Sequence, residues 1–358
     1  MANVRVGFIG CGGIANGKHF PGMAQQEGVD MCAFCDLILE RAEKAAKEYG
    51  TPDAKVYTDY HELLADPTID AVHVLTPNVA HCEITVAALE AGKHVLCEKP
   101  MAATPADAKK MLEARDRTGK MLTIGYQYRH FPENQVAKKV VDSGALGDVY
   151  YAEATYLRRR GVPTWGVFTD KAKQGGGPLI DLGVHVIDLS RYLCGNPKPV
   201  TVFGATFSKL GARKNLKSVV LPWESTSDVK KKEYKFDVED FVTAMIRFDN
   251  GLLVTAEASF SLNIEKDTGN VELLGTKAGL TLSPFVLHTE CNDMLADTVI
   301  RANIGEGDFF RAEMENFVNA IEGIAPCKAP AEDGVELMRI LDAIYESAET
   351  GKSVDIVR

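Results

Sequence analysis

The chain lacks a long apolar run and lacks an excess of positive charge. Its 358 residues contain 40 Lys and Arg against 50 Asp and Glu, a formal net charge of −10 at pH 7. No stretch approaches the roughly 18–20 apolar residues of a membrane span, and no signal-peptide pattern precedes the first strand. Nucleic-acid binding needs clustered basic residues. We therefore expect a cytoplasmic protein with neither a nucleic-acid partner nor a membrane.

The chain also lacks cysteines and histidines arranged for disulfides or metals. Its eight cysteines are scattered through apolar surroundings, which suits a reducing compartment. Cys32 and Cys35 form a C-x-x-C pair, but they lie in a predicted strand, where residues three apart point to opposite faces. The histidines show no metal-ligand spacing with carboxylates. We expect no metal site.

The chain does have a change of pattern near residue 125. Before it, apolar runs alternate with amphipathic helical stretches. The predicted strands are Val4–Ile9, Val29–Cys35, Ala71–Leu75, His94–Cys97 and Met121–Gly125, and the predicted helices are Leu39–Tyr49, His81–Ala91 and Pro105–Thr118. Strands joined by helical crossovers predict a parallel, doubly wound sheet. Residues 1–125 therefore form an α/β domain of the dinucleotide-binding (Rossmann) type.

After residue 125, consecutive strands joined by turns predict a mostly antiparallel sheet. An Asn250-Gly251 pair marks one hairpin tip. The predicted strands are Asp148–Arg158, Val200–Ser208, Tyr234–Phe248, Leu252–Ser261, Asn270–Gly275 and Gly279–Ser283, and the predicted helices are Glu133–Ser143, Leu179–Leu193, Phe309–Glu322 and Glu332–Thr350. Residues 126–358 therefore form an α+β domain on a large open sheet.

The first strand enters a G-x-G-x-x-A loop that is typical of dinucleotide binding. Gly10 permits the tight turn, Gly12 lets the backbone approach a pyrophosphate, and Ala15 allows close helix packing. Gly13 and Ile14 open the helix, whose N-terminus offers N–H groups to phosphates.

Asp36 ends the second strand, 26 residues after Gly10. Its carboxylate suits the two ribose hydroxyls of NAD and repels the 2′-phosphate of NADP, which favours NAD over NADP. Two alternatives stay open: Asp36 is only a helix cap, or Arg41 changes the preference.

Three further motifs carry a family resemblance. They are Thr76-Pro77-Asn78 with His81, Glu98-Lys99-Pro100, and the glycine-rich stretch 175–185 that contains Asp181 and His185. Together they resemble the Gfo/Idh/MocA oxidoreductase family along the whole chain. The resemblance implies NAD(P)-dependent oxidation or reduction of a sugar, cyclitol or sugar derivative by an oligomer. A homodimer or homotetramer through the exposed face of the open sheet is the expected assembly.

Ligands of open α/β sheets bind outside the carboxyl ends of the strands, where the first two motifs lie. We therefore predict that a group of residues around these ends contacts the cofactor: Thr76, Pro77, Asn78, His81, Glu98, Lys99 and Gln127. Lys99 is also predicted to stabilise a developing alkoxide. Glu98 either orients Lys99 or touches the nicotinamide ribose. The alternative for Glu98 and Lys99 is a solvated ion pair at the end of a strand.

Asp181 and His185 are four residues apart, which predicts one helix face with the carboxylate orienting the imidazole. His185 is the predicted general acid/base, although a buried core histidine is the alternative. Asp188, on the same face, is predicted to be structural. Other predicted substrate contacts are Tyr126, Arg129, Arg158 and Trp165, with surface charge as the alternative for the arginines.

The sequence thus predicts an NAD-dependent dehydrogenase acting on a secondary alcohol of a carbohydrate-like substrate. Three alternatives stay open. One is a glycosidase that retains NAD and oxidises its substrate transiently. Another is a nucleotide-sensing regulator without activity. The last is oxidation of a glycoside at C3 before a partner enzyme cleaves it.

Overall fold

The computed structural model describes residues 3–163, 166–211, 235–301 and 309–356. Trp165, a predicted substrate contact, lies outside these ranges. The described residues divide into two compact units, one containing 3–127 and 309–335 and the other 128–211, 235–301 and 336–356. Within these ranges, every helix is too short or too polar to cross a membrane.

The first unit contains a six-stranded parallel sheet with the order β3-β2-β1-β4-β5-β6. Its strands are β1 (Val4–Ile9), β2 (Val29–Cys35), β3 (Lys55–Tyr57), β4 (Ala71–Val74), β5 (His94–Cys97) and β6 (Leu122–Ile124). The helices that connect them are α1 (Phe20–Met23), α2 (Leu39–Tyr49), α3 (Tyr60–Leu64), α4 (His81–Glu90) and α5 (Pro105–Thr118). The prediction of a doubly wound parallel sheet is confirmed.

The central strands are mostly apolar because helices cover both faces of a parallel sheet. Phe8 of β1 stacks on Phe34 of β2 at 5.4 Å between ring centroids, and Phe20 of α1 meets Phe8 edge-on at 5.1 Å. All three rings are fully buried. This core holds the carboxyl ends of β1, β4 and β5 in fixed positions.

The second unit contains a nine-stranded sheet with the order β14-β13-β12-β11-β7-β10-β9-β8-β15. Its strands are β7 (Val149–Leu157), β8 (Pro199–Phe207), β9 (Phe241–Phe248), β10 (Leu253–Ser259), β11 (Thr268–Gly275), β12 (Gly279–Thr281), β13 (Val286–Cys291), β14 (Met294–Val299) and β15 (Val354–Asp355). All neighbours are antiparallel except β7 and β10, which pair in parallel. The expected mostly antiparallel open sheet is confirmed.

Five helices complete the described chain. They are α6 (Pro132–Asp142), α7 (Lys171–Gln174), α8 (Val184–Leu193), α9 (Phe309–Ile321) and α10 (Ala331–Thr350). By residue number, α9 and the first residues of α10 belong to the first unit, and the others belong to the second. α8 is buried along its whole length, and its polar residues His185, Asp188, Ser190 and Arg191 are buried together with its apolar ones.

Four strands were not predicted, and each lacks the apolar alternation of a half-buried strand. β3 and β15 are only three and two residues long, while β13 and β14 are mostly exposed. Asn292 and Asp293 connect β13 to β14 with φ of 52° and 63°, as in a type I′ hairpin turn. The predicted strand Tyr234–Phe248 begins only at Phe241.

All eight cysteines are free. Cys32 and Cys35 lie in β2, and burial raises the pKa of Cys32 to about 11 and that of Cys35 to about 12. Both thiols therefore stay protonated near neutral pH, which is the inert form of the side chain.

Candidate active site

The glycine loop after β1 has the backbone shape that a dinucleotide requires. Gly10 has φ of +101°, and a Cβ there would lie 2.6 Å from the carbonyl oxygen of Leu75, so only glycine fits. At Gly12 an added Cβ would meet nothing within 4 Å. The loop therefore packs tightly on the end of β4 while its other side leaves room for a phosphate group.

Asp36 holds this loop from the end of β2. Its Oδ2 accepts a hydrogen bond from Cys11 N–H at 2.8 Å, and Oδ1 accepts one from Ile38 N–H at 2.9 Å. Arg41 lies 4.0 Å from Oδ1. Each carboxylate oxygen keeps a second lone pair for a ribose hydroxyl. The residues present thus fit the adenosine half of NAD.

The helix that Gly13 and Ile14 open after the loop contains a π-helical turn, Ala15–His19, before it continues as α1. A π-turn inserts one residue relative to an α-helix and is frequent at functional sites. This turn ends on His19, whose ring is fully buried. The sequence assigned His19 no role, since periodicity does not reveal a π-turn.

The carboxyl ends of β4 and β5 are joined by His81, at the start of α4. Its Nδ1 lies 2.8 Å from the carbonyl oxygen of Pro100, and its Nε2 lies 2.9 Å from that of Thr76. Two acceptors favour a doubly protonated ring, but burial lowers the pKa of His81, so we assign a neutral ring that donates to one carbonyl. The Lys99–Pro100 peptide bond beside it is cis.

Glu98 is buried at the end of β5 and fixes the backbone of Lys99. Its Oε2 accepts a hydrogen bond from Lys99 N–H at 3.0 Å, and its Oε1 lies 2.7 Å from His19 Nε2. Burial opposes the charge of Glu98, but the hydrogen bond and charge of His19, and then Lys99, hold the pKa of this carboxyl below its ordinary value. Glu98 is therefore a carboxylate at neutral pH.

A second buried carboxyl group, Glu313 of α9, has the opposite environment. Both of its oxygens are buried and make no hydrogen bond within the described ranges. Burial, and then the charge of Glu98, raises the pKa of Glu313 well above its ordinary value. Glu313 therefore stays protonated in the folded protein at pH values where the unfolded chain has already ionised it.

We expect Glu313→Gln to raise the melting temperature at pH 8 by about 2–4 °C and to leave it nearly unchanged at pH 4. A group whose folded pKa is raised costs stability as pH rises above its unfolded pKa, because folding must then take up a proton. Glutamine has no proton to take up. Thermal unfolding followed by circular dichroism at both pH values tests this, and an equal effect at pH 4 and pH 8 would contradict it.

In the second unit, Asp181 and His185 lie on consecutive turns and are both buried. Asp181 belongs to a π-turn, Leu179–Gly183, and His185 to the first turn of α8. The predicted single α-helix Leu179–Leu193 is therefore wrong in its first turn. The ring of Tyr128 stacks on His185 at 4.7 Å between centroids and 21° between planes. The sequence assigned Tyr128 no role, although it lies between Gln127 and Arg129, which were predicted contacts of cofactor and substrate.

The glycine-rich loop before this π-turn is held by Glu239, another residue that the sequence did not reveal. Its carboxylate accepts hydrogen bonds from the N–H groups of Gly177 at 3.0 Å and Leu179 at 3.1 Å, and from Tyr345 Oη–H at 2.9 Å. A Cβ on Gly177 would lie 2.3 Å from the carbonyl oxygen of Glu239. The anion thus caps the turn that carries Asp181.

Three predicted substrate contacts are buried side chains. Arg129 is fully buried and makes a bidentate ion pair with Asp188, at 2.9 Å from Nε to Oδ2 and 2.6 Å from Nη2 to Oδ1. Arg158 is buried, and its Nη1 donates to the carbonyl oxygen of Gly161 at 3.1 Å. Tyr126 is also buried. The two arginines are held by these partners, and the substrate contacts predicted for all three residues stay predictions.

The remaining predicted cofactor residues lie at the carboxyl edge of the first sheet. Asn78 is buried at the start of a 3₁₀ turn, Asn78–Ala80. Thr76 and Gln127 are half-buried, and the exposed members are Gly13, Ile14 and Pro77. Among the residues that the structure describes, no cluster of His, Cys, Asp and Glu side chains is arranged to hold a metal ion.

Comparison with known proteins matches both parts of the chain. Residues 4–126 match the family model described as an oxidoreductase family with an NAD-binding Rossmann fold, and residues 134–281 match the GFO/IDH/MocA C-terminal domain. The D-glucoside 3-dehydrogenase of Escherichia coli K12 is 37% identical over 354 residues, which cover 99% of this chain and 97% of that protein.

Two more comparisons extend over nearly the whole chain. The levoglucosan dehydrogenase of Pseudarthrobacter phenanthrenivorans is 29% identical, with 99% of each chain covered. A crystallised levoglucosan dehydrogenase in complex with NADH and levoglucosan superposes with a TM-score of 0.82 at 26% identity, covering 99% of this chain and 100% of that one. The glycine loop, Asp36 and these matches agree: the chain belongs to the Gfo/Idh/MocA family of NAD-binding oxidoreductases.

Proposed function

We propose that this protein is an NAD-dependent dehydrogenase or reductase acting on a secondary alcohol or ketone of a sugar, cyclitol or glycoside. The observation that carries the proposal is the edge of the first sheet. There the glycine loop packs on the end of β4, and His81 joins the ends of β4 and β5. Lys99 therefore emerges from a fixed backbone at the edge where a dinucleotide binds in this fold.

The proposed chemistry uses two side chains of this chain. Bound NAD supplies a hydride acceptor. The substrate C–H bond breaks with its electron pair, and the hydroxyl proton passes to His185 as the carbonyl forms. Lys99 stabilises the negative charge that develops on the oxygen. Asp181, one turn before His185, is proposed to orient and stabilise the charged imidazole.

The relatives favour a glycoside among the possible substrates. The E. coli relative is named a D-glucoside 3-dehydrogenase, and inositol 2-dehydrogenases of Salmonella are also similar, at 29% identity. Oxidation of a glucoside at C3 leaves the glycosidic bond intact and creates a ketone that a second enzyme can process. We therefore propose a glucoside as the first substrate to test.

The test is NADH formation, followed by absorbance, with the protein, NAD and a panel of compounds. The panel contains alkyl and aryl glucosides, levoglucosan, free aldoses, sugar acids and myo-inositol. A glucoside should be oxidised with the highest kcat/KM and give a ketone with one NADH per product. If no compound in any class gives NADH, and the corresponding ketones do not consume it, the proposed function is wrong.

The same assay distinguishes the alternatives. A glycosidase that retains NAD would release free sugar from a glucoside without net NADH. A nucleotide-sensing regulator would bind NAD and turn over nothing. The presence of Lys99, Asp181 and His185 favours an enzyme over a sensor, because a sensor has no need of a proton acceptor and an oxyanion partner.

We expect the double variant Asp36→Asn, Leu37→Arg to change the cofactor preference from NAD to NADP. Asparagine still accepts a backbone N–H but removes the charge that repels a 2′-phosphate, and Leu37 is 92% exposed, so arginine there reaches solvent. Loss of the charged ribose contacts should lower kcat/KM for NAD about 10–100-fold. Steady-state kinetics with each cofactor measures the change.

Leu37→Arg alone is the matched control and should still prefer NAD, because the Asp36 carboxylate remains. If the double variant still prefers NAD, another residue, such as Arg41, determines the choice between NAD and NADP.

We propose a homodimer or homotetramer formed through the exposed face of the second sheet. Large apolar side chains are exposed on neighbouring strands there, among them Phe203 and Phe207 of β8 and Met245 of β9. Exposed apolar area of this kind is usually covered by a partner. Light scattering should give two or four times the chain mass of 39.0 kDa.

We also propose a cytoplasmic location. Cysteines without disulfides fit a reducing compartment, and cell fractionation would test the location.

A further inference from the structure

Three buried side chains connect the end of β5 to the interior of the first sheet. Glu98 Oε1 lies 2.7 Å from His19 Nε2, and His19 Nδ1 lies 3.1 Å from His73 Nδ1 of β4. All three side chains are buried, and His19 and His73 are completely so. None of them takes part in the proposed transfer of hydride or proton.

The carboxylate of Glu98 determines which atom of His19 donates to it. Because an ionised Glu98 only accepts hydrogen bonds, His19 donates from Nε2. Burial, and then the charge of His19, hold the pKa of His73 well below its ordinary value, so His73 is neutral. The Nδ1 atoms of His19 and His73 form one hydrogen bond, and the tautomers of the two rings set which of them donates. One carboxylate and two imidazole rings thus form a continuous series of hydrogen bonds.

Glu313 shows what happens to a carboxyl group in this core without such a partner. Glu313 and Glu98 are close enough for the charge of one to act on the other, yet Glu313 makes no hydrogen bond among the described residues. It is held protonated, while Glu98 is held ionised. The two carboxyl groups differ in their partners: Glu98 has the ring of His19 and the N–H of Lys99, whereas Glu313 has neither.

We propose that His19, oriented by His73, is a positioning residue that keeps the negative charge of this core on Glu98, next to Lys99. The negative charge of Glu98 holds the Lys99 N–H and attracts the Lys99 ammonium. The backbone position from which this side chain extends toward the oxyanion is therefore fixed. Gly125 packs against Glu98: a Cβ on Gly125 would lie 3.2 Å from Glu98 Cδ, which is tighter than an ordinary contact. The consequence for turnover rests on the proposed function, but the charge distribution does not.

Other titratable groups also face Glu98 and enter its pH dependence. Cys97 and Lys99 belong to its own strand end, His73 to β4, His19 to the π-turn, His81 to α4 and Glu313 to α9. Burial raises the pKa of Cys97 and lowers that of His81, so neither carries charge near neutral pH.

The first experiment compares His19→Leu with His19→Gln in the full chain. Leucine removes the donor that lowers the pKa of Glu98 most, so burial should then raise this pKa above its ordinary value although the Lys99 N–H remains. The acidic limb of the pH profile of kcat/KM should move up by about one unit and steepen, because a second group must now lose its proton. Activity at pH 6 should fall about tenfold, while activity at pH 9 stays within about threefold of wild type. Glutamine keeps an N–H donor and should restore most of the profile.

His94→Gln is the matched control. His94 begins β5 at its opposite end, where its Nδ1 accepts the N–H of Met121 at 3.0 Å. This variant should lose some stability and keep the wild-type pH profile. A His19→Leu profile that is scaled down equally at every pH, like that of any destabilised core variant, would overturn the proposal.

The second experiment needs neither a His19 variant nor a substrate. With glutamate labelled with ¹³C at the carboxyl carbon, the signals of Glu98 and Glu313 are assigned by their loss in Glu98→Gln and Glu313→Gln. At pH 7 Glu98 should give a carboxylate signal and Glu313 the signal of a neutral acid. The reverse assignment, or two carboxylates, overturns the proposal. If the substrate panel gives no NADH, the proposed function fails while this measurement still decides where the charge lies.

Discussion

Lys99→Met should reduce kcat about 10³-fold and leave the dissociation constant of NAD within about threefold of wild type. Methionine keeps the length of the side chain and removes its charge. The lost interaction is one that strengthens as negative charge develops on the substrate oxygen, so the loss should fall on kcat more than on binding. The measurements are NADH formation with the best glucoside and a fluorescence titration of NAD.

Two comparisons make this result specific. Lys110 on α5 is exposed and pairs with Asp107, so Lys110→Met removes the same charge from a residue outside the proposed chemistry and should keep full turnover. Lys99→Arg keeps the charge but spreads it over a planar group, and should recover part of the rate. Full activity in Lys99→Met would remove Lys99 from the proposed chemistry.

The parts of the fold that the sequence predicted are those in which local pattern and tertiary structure agree. Val4–Ile9, Val29–Cys35 and His94–Cys97 are mostly apolar because most of their residues are buried between two layers of helices, and their predicted bounds match the structure. The helix Pro105–Thr118 also matches, since Thr104 caps it by accepting the Asp107 N–H and Gly119 ends it with φ of +65°. Such signals lie within a few residues of one another.

The parts that were missed depend on contacts between residues far apart in the chain. His19 and His73 are 54 residues apart, and each looks like an ordinary core histidine until their rings meet. Glu239 lies 62 residues from Gly177, whose N–H it accepts. The ion pair of Arg129 with Asp188, 59 residues away, could not be seen in the sequence either. The two π-turns were missed because a single inserted residue leaves the apolar pattern almost unchanged.

His185→Asn should lower kcat about 10²–10⁴-fold, with a smaller change in the KM of the substrate. The amide keeps hydrogen-bonding groups in place but cannot accept a proton at neutral pH. His185→Ala should be partly rescued by added imidazole, because the small side chain leaves room beside Tyr128 for a free base. Rescue is measured as the increase of NADH formation with imidazole concentration at constant pH and ionic strength.

The control for this variant is His288→Asn. His288 is half exposed on β13, where its Nδ1 lies 2.7 Å from Asp297, and its loss should not change kcat. Absence of rescue combined with a kcat near wild type in His185→Asn would contradict the assigned role.

The double variant His185→Asn, Lys99→Met tests whether the proton acceptor and the ammonium act in the same step. If the proton acceptor and the ammonium stabilise the same oxygen in one transition state, removing the second group should cost much less than removing the first. Fully additive losses would mean that Lys99 and His185 act in different steps.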